Sequence, residues 1–149
     1  LKCSSMRFGG MFMRGLGKVH SLSPSERSQI VERLRRVLKS KDEVVFAVVF
    51  GSFLTNPVFH DLDLGVYVKG SPDILDSAVY AEKLSVELTK RLRLPVDVVV
   101  LNHAPMWLRL RALKGKVVVD RDPMLRLALK LAAIDNNIAV FRERTHGLR

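Results

Sequence analysis

The chain has 149 residues, 48% of them hydrophobic and 27% charged, which fits one globular domain with an apolar core. We expect no separate large substrate-binding domain, and no apolar run approaches the length of a membrane span. The single cysteine, Cys3, excludes an internal disulfide and a cysteine-rich zinc motif. Glycines and Arg14 interrupt the first apolar stretch, which makes a poor signal peptide, so we expect a cytoplasmic protein.

The net charge of +10 is unevenly distributed. Residues 1 to 41 contain ten Lys or Arg and two Glu, whereas the remaining residues contain fifteen Lys or Arg and thirteen Asp or Glu. We therefore predict a flexible basic N-terminal arm, residues 1 to 22, followed by one domain, residues 23 to 149. Such an arm is a solvated tail or contacts nucleic acid, an acidic partner or nucleotide phosphates. His20 is expected to lie in this flexible end.

The first predicted helix has strong start signals. Ser23 is placed as the N-cap, Pro24 occupies the first helical position, and Glu26 completes a capping box. Apolar residues then recur at helical spacing, at Ile30, Val31, Leu34, Val37 and Leu38.

Strands and helices then alternate along the chain. Predicted strands cover residues 44–50, 61–68, 96–101 and 116–120, and predicted helices cover 73–93 and a shorter segment that ends at Gly115 as a C-terminal cap. Asp122-Pro123 opens a final helix. The pattern predicts an α/β (α+β) fold, a small mixed sheet flanked by helices.

The final helix has a broad apolar arc. Leu127, Leu131, Ile134, Ile138 and Phe141 form one stripe, which is wider than one core face usually needs. Burial in the core and contact with a second copy or a partner protein remain equal alternatives for this stripe.

Three acidic residues stand out on the predicted strands. Asp61 and Asp63 are two residues apart on one strand, so their side chains project from the same face. Asp97 opens the next strand, which could lie alongside the first. Closely spaced carboxylates repel each other unless a cation or a proton lies between them. Charged oxygen ligands suit Mg²⁺, which keeps several waters and shares its coordination shell with substrate phosphates.

A second feature is the Gly51-Ser52 pair directly after a buried strand. A strand that runs into a Gly-Ser turn presents backbone N–H groups and a hydroxyl to an anion. A phosphate-binding turn beside a metal-binding carboxylate face is what phosphoryl or nucleotidyl transfer requires.

Strand, Gly51-Ser52, Asp61-Leu62-Asp63 and then Asp97 on a third strand resemble the polymerase-β-like nucleotidyltransferase superfamily. The compact length and the closing segment, VVVLNHAP followed by LRALKGKVVVDRDP, are similar to its minimal nucleotidyltransferase branch. That branch includes antitoxin partners of HEPN-domain toxins, some of which adenylylate their toxin. The resemblance covers about residues 24 to 140.

The resemblance implies a role for each motif residue. Gly51 and Ser52 would hold the nucleoside triphosphate, ATP being the expected substrate. Asp61 and Asp63 would bind catalytic magnesium, with two ions expected, and Asp97 would bind one ion and favour deprotonation of the attacking hydroxyl. The acceptor hydroxyl would belong to a partner protein of the HEPN-toxin type.

The sequence departs from the family pattern after Ser52. The family commonly continues with a small residue, Arg and Gly, whereas Phe53, Leu54, Thr55 and Asn56 follow here. A second interpretation is therefore a catalytically weak antitoxin-like module that neutralises its partner by contact. A third is a nucleic-acid-binding protein that uses the basic arm, which we do not favour.

Overall fold

The computed structural model describes residues 18 to 146, without the side chains of residues 140, 141, 145 and 146. Most of the predicted basic arm, and the side chain of Phe141 in the predicted apolar stripe, lie outside the described residues. The strands are β1 (His20–Ser21), β2 (Val44–Phe50), β3 (Val58–Phe59), β4 (Leu62–Val68), β5 (Val96–Val100) and β6 (Lys116–Asp120). The helices are α1 (Pro24–Lys39), α2 (Ser52–Thr55), α3 (Ile74–Leu92), α4 (Met106–Leu113) and α5 (Pro123–His146), with a 3-10 turn at Leu101–His103.

The main sheet has four strands in the order β5-β4-β2-β6. The central strand β2 is antiparallel to both neighbours, whereas β4 and β5 are parallel. Helices α1 and α3 contribute to the core on one face of the sheet, and α4 and α5 pack against the other. This mixed sheet between helices confirms the predicted fold class.

Helix α1 starts as predicted. The Ser23 hydroxyl accepts a hydrogen bond from the Glu26 N–H at 3.1 Å, and the Glu26 carboxylate accepts one from the Ser23 N–H at 3.0 Å. The helix buries Ile30, Val31, Leu34 and Leu38 against the sheet. The capping box and the apolar spacing therefore fix both the start of α1 and the face that it turns to the core.

Two short strands, which the sequence did not predict, join the start of the domain to the loop before β4. His20 and Ser21 pair antiparallel with Phe59 and Val58. His20 is buried, with its ring centroid 5.6 Å from that of Phe59. The expectation that His20 lies in a flexible end is therefore wrong, because strand pairing and ring packing hold it against the domain.

Gly115 follows α4 for a different reason from the one predicted. The C-cap of α4 is Lys114, and Gly115 does not have a positive φ. A Cβ atom at Gly115 would lie 2.1 Å from the Val49 carbonyl oxygen and 2.9 Å from the Phe50 Cβ. Glycine is required here because the turn between α4 and β6 packs directly against the end of β2.

Helix α5 is only partly covered by the rest of the domain. Ala133 is buried, but Leu127, Leu131 and Ile138 keep 46%, 56% and 45% of their surface exposed. Part of the apolar stripe predicted from the sequence therefore faces away from the described core. Among residues 18 to 146, no helix combines the length and apolar character needed to cross a membrane.

Candidate active site

The candidate site lies where β2 ends and β4 begins. Phe50, the last residue of β2, pairs with Asp63. Gly51 follows with a φ of 80°, and a Cβ atom there would lie 2.3 Å from the Asp63 Oδ2. Any other residue at position 51 would meet both backbone strain and the carboxylate. Glycine therefore allows the turn and the acidic strand to lie in contact.

The turn continues directly into α2. Ser52 begins this single-turn helix and is half-buried, and Gly51 provides no side chain to cap it. The N–H of Leu54 donates to the Gly51 carbonyl at 3.1 Å, and the N–H of Asn56 donates to the Ser52 carbonyl at 2.9 Å. These bonds fold the segment back on itself, so the Gly51-Ser52 backbone lies beside Asp63.

The sequence predicted that three acidic residues lie close together, and the structure brings them together. Strands β4 and β5 are parallel neighbours, and their register places Asp63 opposite Asp97. Asp61 precedes β4 by one residue. One carboxylate oxygen from each residue lies within 4.8 Å of the other two, with Asp61 and Asp63 half-buried and Asp97 exposed. This group, called the acidic cluster below, opens toward solvent beside Gly51.

The electrostatics of the acidic cluster favour an added positive charge. The pKa of Asp63 is raised to about 6, chiefly by burial and also by the negative charges of Asp61 and Asp97, while Arg111 acts in the opposite direction. A carboxyl with such a pKa binds either a proton or a cation near neutral pH. Only oxygen donors are present and all three carry charge, so the donor set fits Mg²⁺.

This combination of turn and carboxylates agrees with a known family. The family model described as "Polymerase beta, Nucleotidyltransferase" matches residues 32 to 124, which include the Gly-Ser turn and the acidic cluster. The chain belongs to this nucleotidyltransferase family. No curated protein matches the chain.

Solved structures with the same fold include chains of toxin–antitoxin complexes. One is a tri-AMPylated HEPN toxin with its MNT antitoxin from Shewanella oneidensis, matched with a TM-score of 0.62 and 17% identity over 82% of this chain and 95% of that chain. A toxin–antitoxin structure with AMP-PNP gives 0.61 and 18% over 79% and 94%. The MntA-HepT complex gives 0.58 and 17% over 85% and 96%. These similarities agree with the resemblance to minimal nucleotidyltransferases.

The segment after Gly51-Ser52 is held in place by Arg27 of α1, a residue that no motif in the sequence marks. Its Nε donates to the Leu22 carbonyl at 3.1 Å, its Nη2 to the Pro57 carbonyl at 2.7 Å and its Nη1 to the Phe53 carbonyl. Its Cζ also lies 4.9 Å from the centroid of the Phe59 ring. Arg27 thus joins α1 to both ends of the segment that follows Ser52.

The residues after Ser52 take a structural role. Phe53 is buried, and its ring meets that of Phe59 edge-on with centroids 5.0 Å apart. The segment Phe53–Asn56 carries no cation, and the Cζ of Arg27 lies 5.7 Å from the centroid of the Phe53 ring. No sequence signal separates Arg27 from the other arginines of α1, because its role depends on carbonyls up to 30 residues away.

His20 lies near the acidic cluster, because Asp61 acts on it electrostatically. Burial lowers the pKa of His20, and the positive potential of His60 and Lys18 lowers it further, whereas Asp61 raises it. His20 is therefore a neutral part of the wall near the acidic cluster at neutral pH.

Proposed function

We propose that this chain is a Mg²⁺-dependent nucleotidyltransferase that transfers AMP from ATP to a hydroxyl of a partner protein. The observation that carries the proposal is the acidic cluster in contact with the Gly51-Ser52 turn. Eight residues, 53 to 60, separate Gly51-Ser52 from Asp61 in the sequence. In the structure the turn and the acidic cluster meet where β2 ends and β4 begins. Family membership supports the reaction type.

Each site residue has a defined task in this proposal. Asp61, Asp63 and Asp97 would hold magnesium, which neutralises phosphate charge and polarises the reacting phosphorus–oxygen bonds when bound. Gly51 and Ser52 hold the triphosphate through the backbone N–H groups of the turn and the Ser52 hydroxyl. Within the described residues the Ser52 hydroxyl makes no hydrogen bond, so it is available to donate to a phosphate oxygen.

Asp97 is the residue best placed to accept the proton of the incoming hydroxyl. It is the exposed member of the acidic cluster, so an acceptor reaches it from solvent. The acceptor oxygen forms a bond to the α-phosphorus, and the bond from that phosphorus to pyrophosphate breaks. The proton moves from the hydroxyl to the Asp97 carboxylate, and the electron pair leaves with pyrophosphate.

We further propose that the acceptor is a toxin of the HEPN type and that transfer neutralises it, as an antitoxin would. Structures that share the fold are described as MNT antitoxins with HEPN toxins, one of them tri-AMPylated, and one toxin–antitoxin structure is described with AMP-PNP. The cytoplasmic location remains a prediction from the sequence.

The test is transfer of label from α-³²P-ATP to a co-purified HEPN-type partner in the presence of Mg²⁺. Wild type is expected to label the partner, and Asp61→Asn with Asp63→Asn is expected to abolish labelling. Asp42→Asn is the matched control, because Asp42 is exposed near the start of β2, at the opposite end from the site. Equal labelling by the double variant would overturn the proposed mechanism.

A contact-only antitoxin is the second candidate. The segment after Ser52 carries no cation, and exposed apolar residues of α5 offer a surface for a partner. In this case the Asp61→Asn and Asp63→Asn double variant would neutralise the partner as well as wild type. Growth rescue by wild type alone would instead support adenylylation.

A further inference from the structure

We propose that Arg111 is a further phosphate-binding residue of this site, contacting the β- and γ-phosphates of the nucleoside triphosphate. This inference rests on the proposed function, because it assumes that a triphosphate binds between Gly51-Ser52 and the acidic cluster. Arg111 lies on α4 and belongs to neither motif recognised in the sequence.

Arg111 and the acidic cluster lie on the same face of the sheet. Phe50 belongs to the same apolar cluster as Ala112 and Leu113 of α4. Paired residues on neighbouring strands project to the same side of a sheet. Asp63 is the partner of Phe50 in β4, so its side chain also points to the α4 face. The Cζ of Arg111 lies 5.9 Å from the centroid of the Phe50 ring. The guanidinium therefore lies next to the residue that precedes Gly51.

The backbone of α4 is firmly held near the site. Leu110, Ala112 and Leu113 are buried, and the Nε of Arg109 donates to the Leu101 carbonyl at 2.8 Å. At the other end of the helix, Gly115 packs against Val49 and Phe50, as described above. The base of the Arg111 side chain is thus fixed, while its guanidinium is exposed and can approach a ligand.

Several arginines of this domain are already engaged as hydrogen-bond donors. Arg27, Arg109 and Arg121 donate to carbonyl groups, and Arg126 is ion-paired with Asp120. By contrast, within the described part of the chain, no hydrogen bond and no ion pair within 4.0 Å engages Arg111. Its donors are available for phosphate oxygens, which suit the planar guanidinium because two N–H groups can bind together.

The charge balance of the site favours such a cation. The acidic cluster repels a polyphosphate, and the segment Phe53–Asn56 carries no positive side chain. Arg111 acts electrostatically on Asp63, so its positive charge is felt at the acidic cluster. As the bond to the α-phosphorus breaks, negative charge increases on the leaving pyrophosphate. A guanidinium beside these oxygens stabilises that charge.

The experiment measures binding of Mg²⁺-ATP, Mg²⁺-pyrophosphate and AMP by isothermal titration calorimetry. Arg111→Gln is expected to weaken the binding of ATP and of pyrophosphate by about ten-fold or more and to change the affinity for AMP by less than about two-fold. Arg111→Lys is expected to recover part of the loss, because the charge remains but the paired donors do not. Lys83→Gln, which removes one exposed charge from α3, is the matched control and should bind all three ligands as wild type does.

Three results would overturn the inference. Unchanged binding of ATP and pyrophosphate by Arg111→Gln would show that the side chain only packs on Phe50. If AMP binding were weakened as much as ATP binding, Arg111 would lie away from the β- and γ-phosphates. Loss of transfer to the partner with unchanged nucleotide binding would assign Arg111 to the protein acceptor instead.

Failure of the proposed function and failure of the Arg111 inference give different results. If wild type binds ATP but labels no partner, the proposed acceptor fails, and the comparison of the Arg111 variants still decides the phosphate contact. If wild type binds neither ATP nor pyrophosphate, both proposals are overturned. Circular dichroism of each variant checks that the fold is retained.

Discussion

Charged side chains lie at both ends of the main sheet, but they are paired with partners at one end and gathered with like charges at the other. At the end near the start of β2, Arg121 donates to the carbonyls of Lys39, Lys41 and Val44, and Arg126 pairs with Asp120 at 2.9 Å. At the other end, three carboxylates gather within 4.8 Å of one another. Hydrogen bonds from an arginine to carbonyl groups and one ion pair stabilise the first end, whereas like charges oppose folding at the second. Such an arrangement is typical of a binding site that trades stability for function.

The largest effect is expected for Asp63→Asn, which removes one charge from the acidic cluster. Transfer should fall at least about 100-fold, because the half-buried ligand for magnesium is lost. In EDTA, however, the variant should unfold at the same temperature as wild type or at a higher one, because repulsion is relieved. Labelling assays measure the loss of transfer, and calorimetric melting measures the unfolding temperature. If the variant retained transfer, or melted far below wild type, the acidic cluster would be a stabilising feature of the fold and not a metal-binding site.

The next effect concerns the contacts that hold the phosphate-binding turn. Arg27→Ala is expected to raise the KM for ATP by about ten-fold and to lower the free energy of unfolding by about 1–3 kcal/mol, because three carbonyls lose a charged donor. Arg36→Ala, at an exposed position of α1, is the control. An unchanged KM together with the lower stability would give Arg27 a purely structural role.

At the opposite end, Arg121→Ala should change stability alone. The exposed guanidinium still bonds to three carbonyls, so its loss is expected to cost about 1–2 kcal/mol of unfolding free energy. Urea denaturation measures the cost, and the rate of transfer by the folded protein should equal that of wild type. A slower transfer rate at saturating ATP would show that the two ends are coupled.

The smallest expected effect is on the pH dependence of stability. The pKa of Asp63 is raised to about 6 in the folded protein, so the folded state binds its proton more tightly than the unfolded chain. Without metal, this contribution is complete below about pH 4 and is lost as pH rises toward about 6. Mg²⁺ competes with that proton, so stabilisation by Mg²⁺ should increase across the same range.

The control for this pH dependence is Asp63→Asn, which should lack both changes. Thermal melting in EDTA and in Mg²⁺ between pH 4 and pH 8 measures them. A wild-type response to Mg²⁺ that is the same at pH 5 and at pH 7.5 would contradict the assignment of the raised pKa to the metal site.

The sequence predicted the parts of the site that depend on local spacing. Ser23 and Glu26 mark a helix start within four residues, and Asp61 and Asp63 share a face because strand side chains alternate. Asp97 was placed correctly because parallel strands that follow one another often lie side by side. Short-range rules thus account for the order of elements and for the shared face of Asp61 and Asp63, and the adjacency of consecutive parallel strands accounts for Asp97.

Contacts between distant segments could not be predicted in this way. Gly115 has the spacing of a helix cap, but its backbone contact with Val49 is visible only when α4 packs beside β2. His20 occupies a polar, irregular stretch and yet pairs with Phe59. Arg27 and Arg111 each lie on a helix with other arginines, and only tertiary geometry distinguishes them. Arg27 reaches the Pro57 carbonyl, 30 residues away, and Arg111 contacts Phe50, 61 residues away.

The most direct test of the account is a crystal structure with Mn²⁺ and a non-hydrolysable ATP analogue, using the anomalous signal of manganese. We predict a peak bound by carboxylate oxygens of Asp61, Asp63 and Asp97, with the triphosphate against Gly51 and Ser52. A peak away from these three carboxylates, or a triphosphate bound elsewhere on the domain, would contradict it.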